Sequence, residues 1–334
     1  MTFHPSLGLA GAALVLSGCA ISGSAAATSP TSTASATEVP SCPPASVRVD
    51  TTAELKSALS NASPGDVIAL DDGTYAGPFK ISADGTTDRP IYLCGGPGAV
   101  LNGGGIDTSY VLHLNYASDW RVLGFTVRNG GKGVMADGAK RVVIGGLTVT
   151  RIGDEGIHLR RYSADSLVIG NDISSTGLRQ AKFGEGIYIG SAQSNWCTVT
   201  SCKPDRSDRN RIIGNQISAT TAESVDVKEG TSDGEISENH FDGSGLIEAD
   251  SWVDVKGNDW KIVGNVGTQS PQDGFQTHEI LDGWGGGNRF VANHAQVDGP
   301  GAGFVFEPRL DNILSCDNTA SGAAEGLANV DCIQ

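Results

Sequence analysis

Two short apolar motifs recur in step along this chain, and their spacing constrains the fold more than any other feature. The first motif is an Ile/Val-rich strand whose closing turn position falls at residues 124, 145, 170, 214, 238, 264 and 292. Successive intervals between those positions are 21, 25, 44, 24, 26 and 28 residues. The second motif lies between occurrences of the first, as in Gly156-Ile157-His158-Leu159 and Ser224-Val225-Asp226-Val227.

Two strand types that alternate once in about 24 residues are typical of a parallel β-helix. A sandwich or barrel would show shorter, less regular spacing with hairpin turns. The sequence therefore predicts an all-β fold, a right-handed parallel β-helix (solenoid). The 44-residue interval is either one long coil or two coils around an insertion.

A short helix is predicted where the repeats begin. Thr51 and Glu54 have the spacing of a capping box, and Leu55, Ala58 and Leu59 form an apolar stripe that ends before Ser63-Pro64-Gly65. A stack of parallel coils exposes an apolar end, so we expect this short N-terminal helix to cap it.

The N-terminal region is not predicted to be part of the β-helix. Residues 7–18 are apolar or small but fewer than the roughly 20 needed to span a bilayer, which indicates a signal peptide. Leu16-Ser17-Gly18-Cys19 resembles a lipobox, which implies a lipoprotein signal peptide over 1–19 and lipidation of Cys19; ordinary secretion with a chance Cys is the alternative.

Residues 20–46 are rich in Ala, Ser, Thr and Pro and indicate a flexible linker, which leaves 47–334 as the β-helix domain. We expect an exported protein, either lipid-anchored to the outer face of the bacterial membrane or secreted. Its contact with the membrane would be through the lipid anchor alone, and we expect a monomer.

Cysteines and charge narrow the possible partners. Seven Cys leave six once Cys19 is set aside, an even number that indicates disulfides in an exported protein. Proximity favours Cys197–Cys202 and Cys316–Cys332 among the fifteen possible pairings, which leaves Cys42–Cys94. A net charge of −15 argues against nucleic acid, and an acidic polysaccharide would need local cations.

Asparagine recurs at the turn that closes the first motif, at Asn171, Asn215, Asn239, Asn265 and Asn293. Asn tolerates left-handed backbone and can hydrogen-bond its equivalent one coil away. We expect this column to be a structural ladder.

In the second motif, side-chain alternation separates core from surface. Ionisable residues recur in the outward columns of the central coils, whereas the first and last coils carry fewer of them. An ordinary solvated face is the alternative to a functional site here. The residues that we expect in one patch are Glu155, His158, Arg160, Glu185, Glu223, Asp226, Lys228, Asp254, Lys256 and His278.

The opening AELKSALSNASPGDVIALDDGTYAGPFKISADGTTDRPIYLCG resembles the first turns of β-helical polysaccharide lyases of the chondroitinase B and alginate lyase group, and pectate lyases of similar build begin alike. In the former group a Glu-x-Glu pair holds Ca²⁺ and a Lys a few residues later abstracts a proton. The stretch here is Glu223-Ser224-Val225-Asp226-Val227-Lys228, so the spacing becomes Glu-x-x-Asp-x-Lys. No Arg-His-Gly follows on the next coil, where Trp252-Val253-Asp254-Val255-Lys256 stands.

The resemblance implies a Ca²⁺-assisted lyase that cleaves a uronate polysaccharide by β-elimination. A hard cation would neutralise the uronate carboxylate, and a Lys of lowered pKa could remove the C5 proton. We assign Glu185, Glu223 and Asp226 to the metal and Lys228 to the base, with Lys256 as its rival. Arg160 and His278 would bind or protonate the sugar.

His158, Tyr188, Asp254 and Trp196 are the candidates for substrate binding. Trp196 lies in the insertion 190–210 and could stack on a sugar ring or pack under its own loop. Asp226–Lys228 and Asp254–Lys256 could also be plain ion pairs along the ladder.

Two other functions stay open. A glycoside hydrolase could use a carboxylate pair such as Glu223 with Asp226 or Asp254 on the same sheet. A non-catalytic surface protein could bind glycan or serve a structural role.

Overall fold

The structure is a computed structural model that describes residues 38–334. The predicted signal peptide, Cys19 and residues 20–37 of the linker lie outside the described residues. The helices are α1 (Thr52–Asn61) and α2 (Trp196–Val199), with 3₁₀ turns at Ala181–Phe183, Gln193–Asn195 and Gly243–Gly245. None of the helices within 38–334 is long and apolar enough to cross a membrane.

Thirty strands are described. The first fifteen are β1 (Val47–Val49), β2 (Val67–Leu70), β3 (Gly73–Ala76), β4 (Phe79–Ile81), β5 (Ile91–Cys94), β6 (Ala99–Asn102), β7 (Tyr110–Asn115), β8 (Trp120–Leu123), β9 (Thr126–Gly130), β10 (Lys132–Asp137), β11 (Val143–Gly145), β12 (Thr148–Ile152), β13 (Ile157–Arg160), β14 (Leu167–Ile169) and β15 (Asp172–Ser174). The remaining fifteen are β16 (Ile187–Ile189), β17 (Arg211–Ile213), β18 (Gln216–Ser218), β19 (Val225–Val227), β20 (Glu235–Ser237), β21 (His240–Asp242), β22 (Val253–Val255), β23 (Lys261–Val263), β24 (Val266–Thr268), β25 (Phe275–His278), β26 (Arg289–Val291), β27 (His294–Gly299), β28 (Phe304–Glu307), β29 (Ile313–Leu314) and β30 (Thr319–Ala323).

These strands form three parallel sheets, which confirms the predicted parallel β-helix. Sheet A runs β1-β2-β5-β8-β11-β14-β17-β20-β23-β26-β29. Sheet B runs β3-β6-β9-β12-β15-β18-β21-β24-β27-β30, and sheet C runs β4-β7-β10-β13-β16-β19-β22-β25-β28. Each coil contributes one strand to each sheet, so residues one coil apart in sequence become neighbours in space.

The 44-residue interval is one long coil. Strand β14 pairs directly with β17, so no extra coil lies between them. Its additional residues leave the rod at two places, before and after β16. Those places flank sheet C, which is what gives this face its cleft.

The interior is a continuous apolar column. Val134, Ile157, Ile187, Val225 and Val253 stack in register from coil to coil and are buried. Burial of such residues is worth about 1.5–3 kcal/mol each, so this column supplies much of the favourable free energy of folding.

The asparagine column is the predicted ladder. The side-chain amide of Asn215 donates to Asn239 Oδ1 at 2.9 Å, Asn239 donates to Asn265 at 2.9 Å, and Asn265 donates to Asn293 at 2.9 Å. Asn318 extends the ladder by one further coil. All its members are buried. Each side chain hydrogen-bonds backbone groups of neighbouring coils, which would otherwise be buried without a partner.

The N-terminal end of the β-helix is capped by α1, as predicted. Thr51 and Glu54 form the capping box of α1, whose Leu55 and Leu59 are buried. All three predicted disulfides are present: Cys42–Cys94, Cys197–Cys202 and Cys316–Cys332. Cys42–Cys94 ties the segment before β1 to the third strand of sheet A.

Candidate active site

The outward face of sheet C carries the ionisable side chains, in the predicted columns. Tyr188 pairs in register with His158 on one side and with Asp226 on the other. Asp226 in turn pairs with Asp254. Parallel register thus stacks four different polar side chains on successive coils, although they are separated by at least 28 residues in the chain.

The three residues assigned to a metal form one acidic cluster, Glu185, Glu223 and Asp226. One carboxylate oxygen from each lies within 4.8 Å of the others. Glu185 is 6% exposed, and its Oε2 makes no hydrogen bond within the described residues. Burial and the charge of Asp226 raise the pKa of Glu185 well above its usual range and that of Glu223 to about 7.

Two lysines neutralise Asp226. The Lys228 ammonium pairs with one carboxylate oxygen, and Lys256 Nζ donates to the other at 2.9 Å. Burial alone would lower the pKa of Lys228, but Asp226 outweighs it and raises that pKa above its ordinary value. Lys228 is therefore an ammonium, and its side chain is partly exposed.

Lys256 is the more enclosed of the two. It pairs with Asp254 as well as Asp226 and is 7% exposed. Asp254 also accepts a hydrogen bond from His278 Nδ1 at 2.9 Å, and that bond raises the pKa of His278. Two carboxylates thus hold Lys256, whereas Lys228 pairs with Asp226 alone among the described residues.

Tyr188 lies at the centre of this face. Lys228 Nζ is 5.2 Å from the centroid of its ring, and the His158 ring packs edge-on against it at 4.2 Å. His158 is buried and its Nε2 donates to Gly190 O at 2.9 Å, which fixes the ring beneath Tyr188. The Tyr188 hydroxyl makes no hydrogen bond to any residue in the part of the chain described, so it is free to bind a substrate.

A second ionic network lies on the side of Tyr188 that faces the β4 end of sheet C. Arg160 Nε donates to Asp137 Oδ1 at 2.7 Å, and Asp137 also pairs with His113. Glu155 pairs with Lys132 and lies 3.4 Å from His158 Nδ1. The sequence placed Arg160 in one patch with Lys228; the structure separates the two by the coil that carries Tyr188.

Two inserted segments wall the cleft on either side of β16. We call residues 177–184 the first wall and 190–209 the second wall. Between them is a pocket of about 390 Å³, lined on its floor by Glu185, Tyr188 and Arg160 and on its walls by Phe183 and Asn195. The long coil in the sequence is thus the element that adds walls to the flat sheet and forms the pocket.

Trp196 does not face a substrate. Its side chain is 6% exposed and its indole nitrogen donates to Ser191 O at 2.8 Å, so the ring packs beneath its own loop. That is the second of the two expectations for this residue. The carboxylate of Asp205 anchors the same wall, because it accepts hydrogen bonds from the backbone of Arg161 and Tyr162 and from the Ser191 hydroxyl.

Sequence reasoning missed several residues of the pocket. Asp154, Arg179 and Phe183 line it, and Asp205 supports it. Arg179, Phe183 and Asp205 lie in the two walls, outside the repeating columns. The signal available was the length of the 44-residue interval, which marks where extra residues leave the rod.

The acidic cluster fits a hard divalent cation. Its donors are all carboxylate oxygens, the ligand type that Ca²⁺ prefers. Both oxygens of Asp226 already pair with lysines, so the oxygens without a lysine partner among the described residues are those of Glu185 and Glu223. The unpartnered Oε2 of buried Glu185 is the kind of atom that such an ion would satisfy.

The fold of this chain has counterparts among solved structures. No protein-family model matches the chain, and no curated protein does. Among solved structures, an alginate lyase from Paenibacillus sp. str. FPU-7 superposes with a TM-score of 0.80 at 35% identity, covering 85% of this chain and 99% of that one. Pectate lyase Pel9A (TM-score 0.58, 15% identity, 82% and 72% of the two chains) shares the fold, as does a mutant of the periplasmic alginate epimerase AlgG (0.59, 12%, 78% and 61%).

Proposed function

We propose that this chain, which belongs to the family of the alginate lyase from Paenibacillus sp. str. FPU-7, is a polysaccharide lyase that cleaves a uronate polymer, alginate first, by β-elimination. The observation that carries the proposal is the position of the Lys228 ammonium. It pairs with Asp226 of the acidic cluster and lies 5.2 Å from the centroid of the Tyr188 ring, and Tyr188 lines the walled pocket.

The reaction needs two proton transfers. A base removes the hydrogen on C5, the electron pair forms a C4=C5 double bond, the C4–O4 bond breaks, and O4 takes up a proton. General acid–base groups of this kind contribute about 10²–10⁴-fold to a rate.

Lys228 and Tyr188 are the proton-transfer groups of this proposal. Because Asp226 keeps Lys228 protonated, its ammonium is ready to protonate O4; it can take the C5 proton only where the charge of Asp226 is offset. Burial raises the pKa of Tyr188 well above its ordinary value, so its hydroxyl, one coil away, could take the C5 proton only where a neighbouring cation stabilises the phenolate. His158 fixes the ring of Tyr188, and Arg160 offers its guanidinium to a uronate carboxylate.

Glu185, Glu223 and Asp226 would hold a Ca²⁺ ion in this proposal. Such an ion would neutralise the carboxylate beside C5, where charge disfavours loss of the proton. An export signal and a lipid anchor at Cys19 complete the proposal, in keeping with three disulfides, which persist in oxidising compartments.

The direct test is to incubate the protein with alginate and other uronate polymers, with and without Ca²⁺. Ultraviolet absorbance of the conjugated C4=C5 bond should rise with alginate. New reducing ends without that absorbance would indicate a hydrolase acting through the carboxylates of the cluster. Binding without either signal would indicate a glycan-binding protein and overturn the lyase proposal.

A further inference from the structure

The cleft face is electrically asymmetric about Tyr188. Toward β4, the face and its walls carry the cations Lys80, Lys132, Arg160, Arg161 and Arg179, set against Asp137, Asp154 and Glu155. Toward β28 the face and its adjoining loop carry the carboxylates Asp254, Asp273, Glu279, Asp282 and Glu307. The cations on that side include Lys256, held between two acids of the face, and Arg206, over the Trp284 ring. The sign of the local charge therefore reverses along a single sheet.

We propose that the polymer lies along the β4-ward half of sheet C only, from Lys228 across the walled pocket to Lys80, with Phe183 as a stacking platform for a sugar ring. This inference rests on the proposed function, because it assumes a polyuronate substrate. It adds the direction in which the chain extends and the residues that set the length of substrate bound.

The walled pocket supplies the first part of this path. Phe183 stands on the first wall at the rim of the pocket and is 40% exposed. The Lys182 ammonium lies over its ring at 4.7 Å from the centroid, so the opposite face is the one that can stack on a sugar. Arg179, on the same wall, pairs with Asp154 but keeps 32% of its side chain exposed. Its guanidinium can thus meet a second carboxylate without first losing its partner.

The path continues past the pocket toward the capped end of the rod. Arg160 Nη2 lies 3.4 Å from the Tyr110 hydroxyl, and Tyr110 lines the next pocket with Lys80 and His113. Lys80 is exposed and has no ion-pair partner among residues 38–334. From β19 to β4 is five strand spacings, or about 24 Å, so several sugar residues are needed to reach from Lys228 to Lys80.

The opposite half disfavours the same polymer. Glu307 keeps 64% of its side chain exposed on the last strand of sheet C, and His278 lies 3.8 Å from it. Burial alone would raise the pKa of Asp254, but Lys256 and His278 lower it below its ordinary value, so this carboxylate is charged. A polyanion laid over this half would meet like charges, whose repulsion adds along its length.

Substrate length provides the test. Steady-state KM and kcat would be measured on a size ladder of oligouronates for Lys80→Ala, Phe183→Ala and the matched control Glu307→Gln, each at an exposed side chain. We expect Lys80→Ala to raise KM about two- to fivefold for long oligomers and to leave short ones and kcat unchanged. Phe183→Ala should raise KM at every length, and Glu307→Gln should not raise it.

The possible failures are separable. If the protein cleaves oligouronates but Lys80→Ala and Phe183→Ala keep the wild-type KM, or Glu307→Gln raises it, the direction is wrong while the lyase stands. If nothing is cleaved, calorimetric titration of the same ladder still tests the path. Length-dependent binding that Lys80→Ala weakens would support the path without the lyase, and absence of binding would overturn both.

Discussion

Lys256 Nζ donates to Asp226 Oδ1 at 2.9 Å, across one coil of the helix and 30 residues of sequence. Through this bond, Asp226 is shared between the enclosed Lys256 and the more accessible Lys228. The two lysines occupy equivalent positions on successive coils, yet the structure gives them different surroundings and so different expected roles.

Replacement of either lysine should separate those roles. Lys228→Ala and Lys228→Arg should each lower kcat by about 10²-fold or more while thermal stability changes little, because a guanidinium stays protonated and cannot exchange the proton. Lys256→Ala removes one of the two partners of each of two buried carboxylates, Asp226 and Asp254, and it should cost at most about 5 kcal/mol of unfolding free energy. Urea unfolding and the absorbance assay measure both; near-wild-type cleavage by Lys228→Arg would remove Lys228 from the mechanism.

The acidic cluster should respond to Ca²⁺. At a concentration 100 times its Kd, a bound ion stabilises a folded protein by about 2.7 kcal/mol, which a thermal-unfolding titration detects without any assay of activity. Glu223→Gln should weaken this stabilisation, and Glu248→Gln, an exposed carboxylate outside the cluster, should preserve it. Equal responses of all three proteins to Ca²⁺ would show that the cluster does not hold the ion.

Glu155 should make stability depend on pH in a defined window. Burial would raise its pKa, but His158 and Lys132 outweigh burial and lower it from 4.5 to about 2. A carboxylate with a lowered folded-state pKa stabilises the protein above its unfolded-state pKa, and that contribution, about 3 kcal/mol, is lost as the pH falls from 4.5 toward 2. Urea unfolding of Glu155→Gln should show a shallower loss over this window than the wild type; parallel curves would refute the assignment.

The asparagine ladder should be costly to interrupt. Asn239→Ala removes an amide that donates to Ile212 O and Asn265 Oδ1 and accepts from Asn215, all within the buried column. Each group left unsatisfied costs about 1–3 kcal/mol, so the unfolding free energy should fall by several kcal/mol. His240→Ala, one position along and exposed, is the control and should change it by less than about 0.5 kcal/mol.

Lipid anchoring depends on Cys19. In a bacterial host that processes lipoproteins, Cys19→Ser should move the protein from the membrane fraction to the medium or the soluble extract, because the thiol is the site of acylation. Fractionation with an antibody measures this. If the Ser variant stays with the membrane as the parent does, something other than Cys19 retains it.

The repeat spacing by itself predicts the architecture of this protein, a parallel β-helix. A coil of about 24 residues returns each column to the same face, so Val225 had to point inward and Asp226 outward once the period was recognised. The same periodicity placed Glu185, Glu223 and Asp226 on neighbouring coils. Short separations identified two of the three disulfides, and Cys42–Cys94 was the pair that remained.

Tertiary structure decided what lies outside the period. The walls that carry Phe183, Arg179 and Asp205 are insertions with no column to fix their direction, and only packing of the loops shows that two of them line the pocket and the third supports it. The burial of Trp196 and the ion pairs of Lys228 and Lys256 involve segments that are distant in sequence, so the sequence alone does not predict them. The repeat period of the coils determines whether a side chain points into the core or outward. The charge state and exposure of that side chain depend on all the neighbours that the fold brings to it.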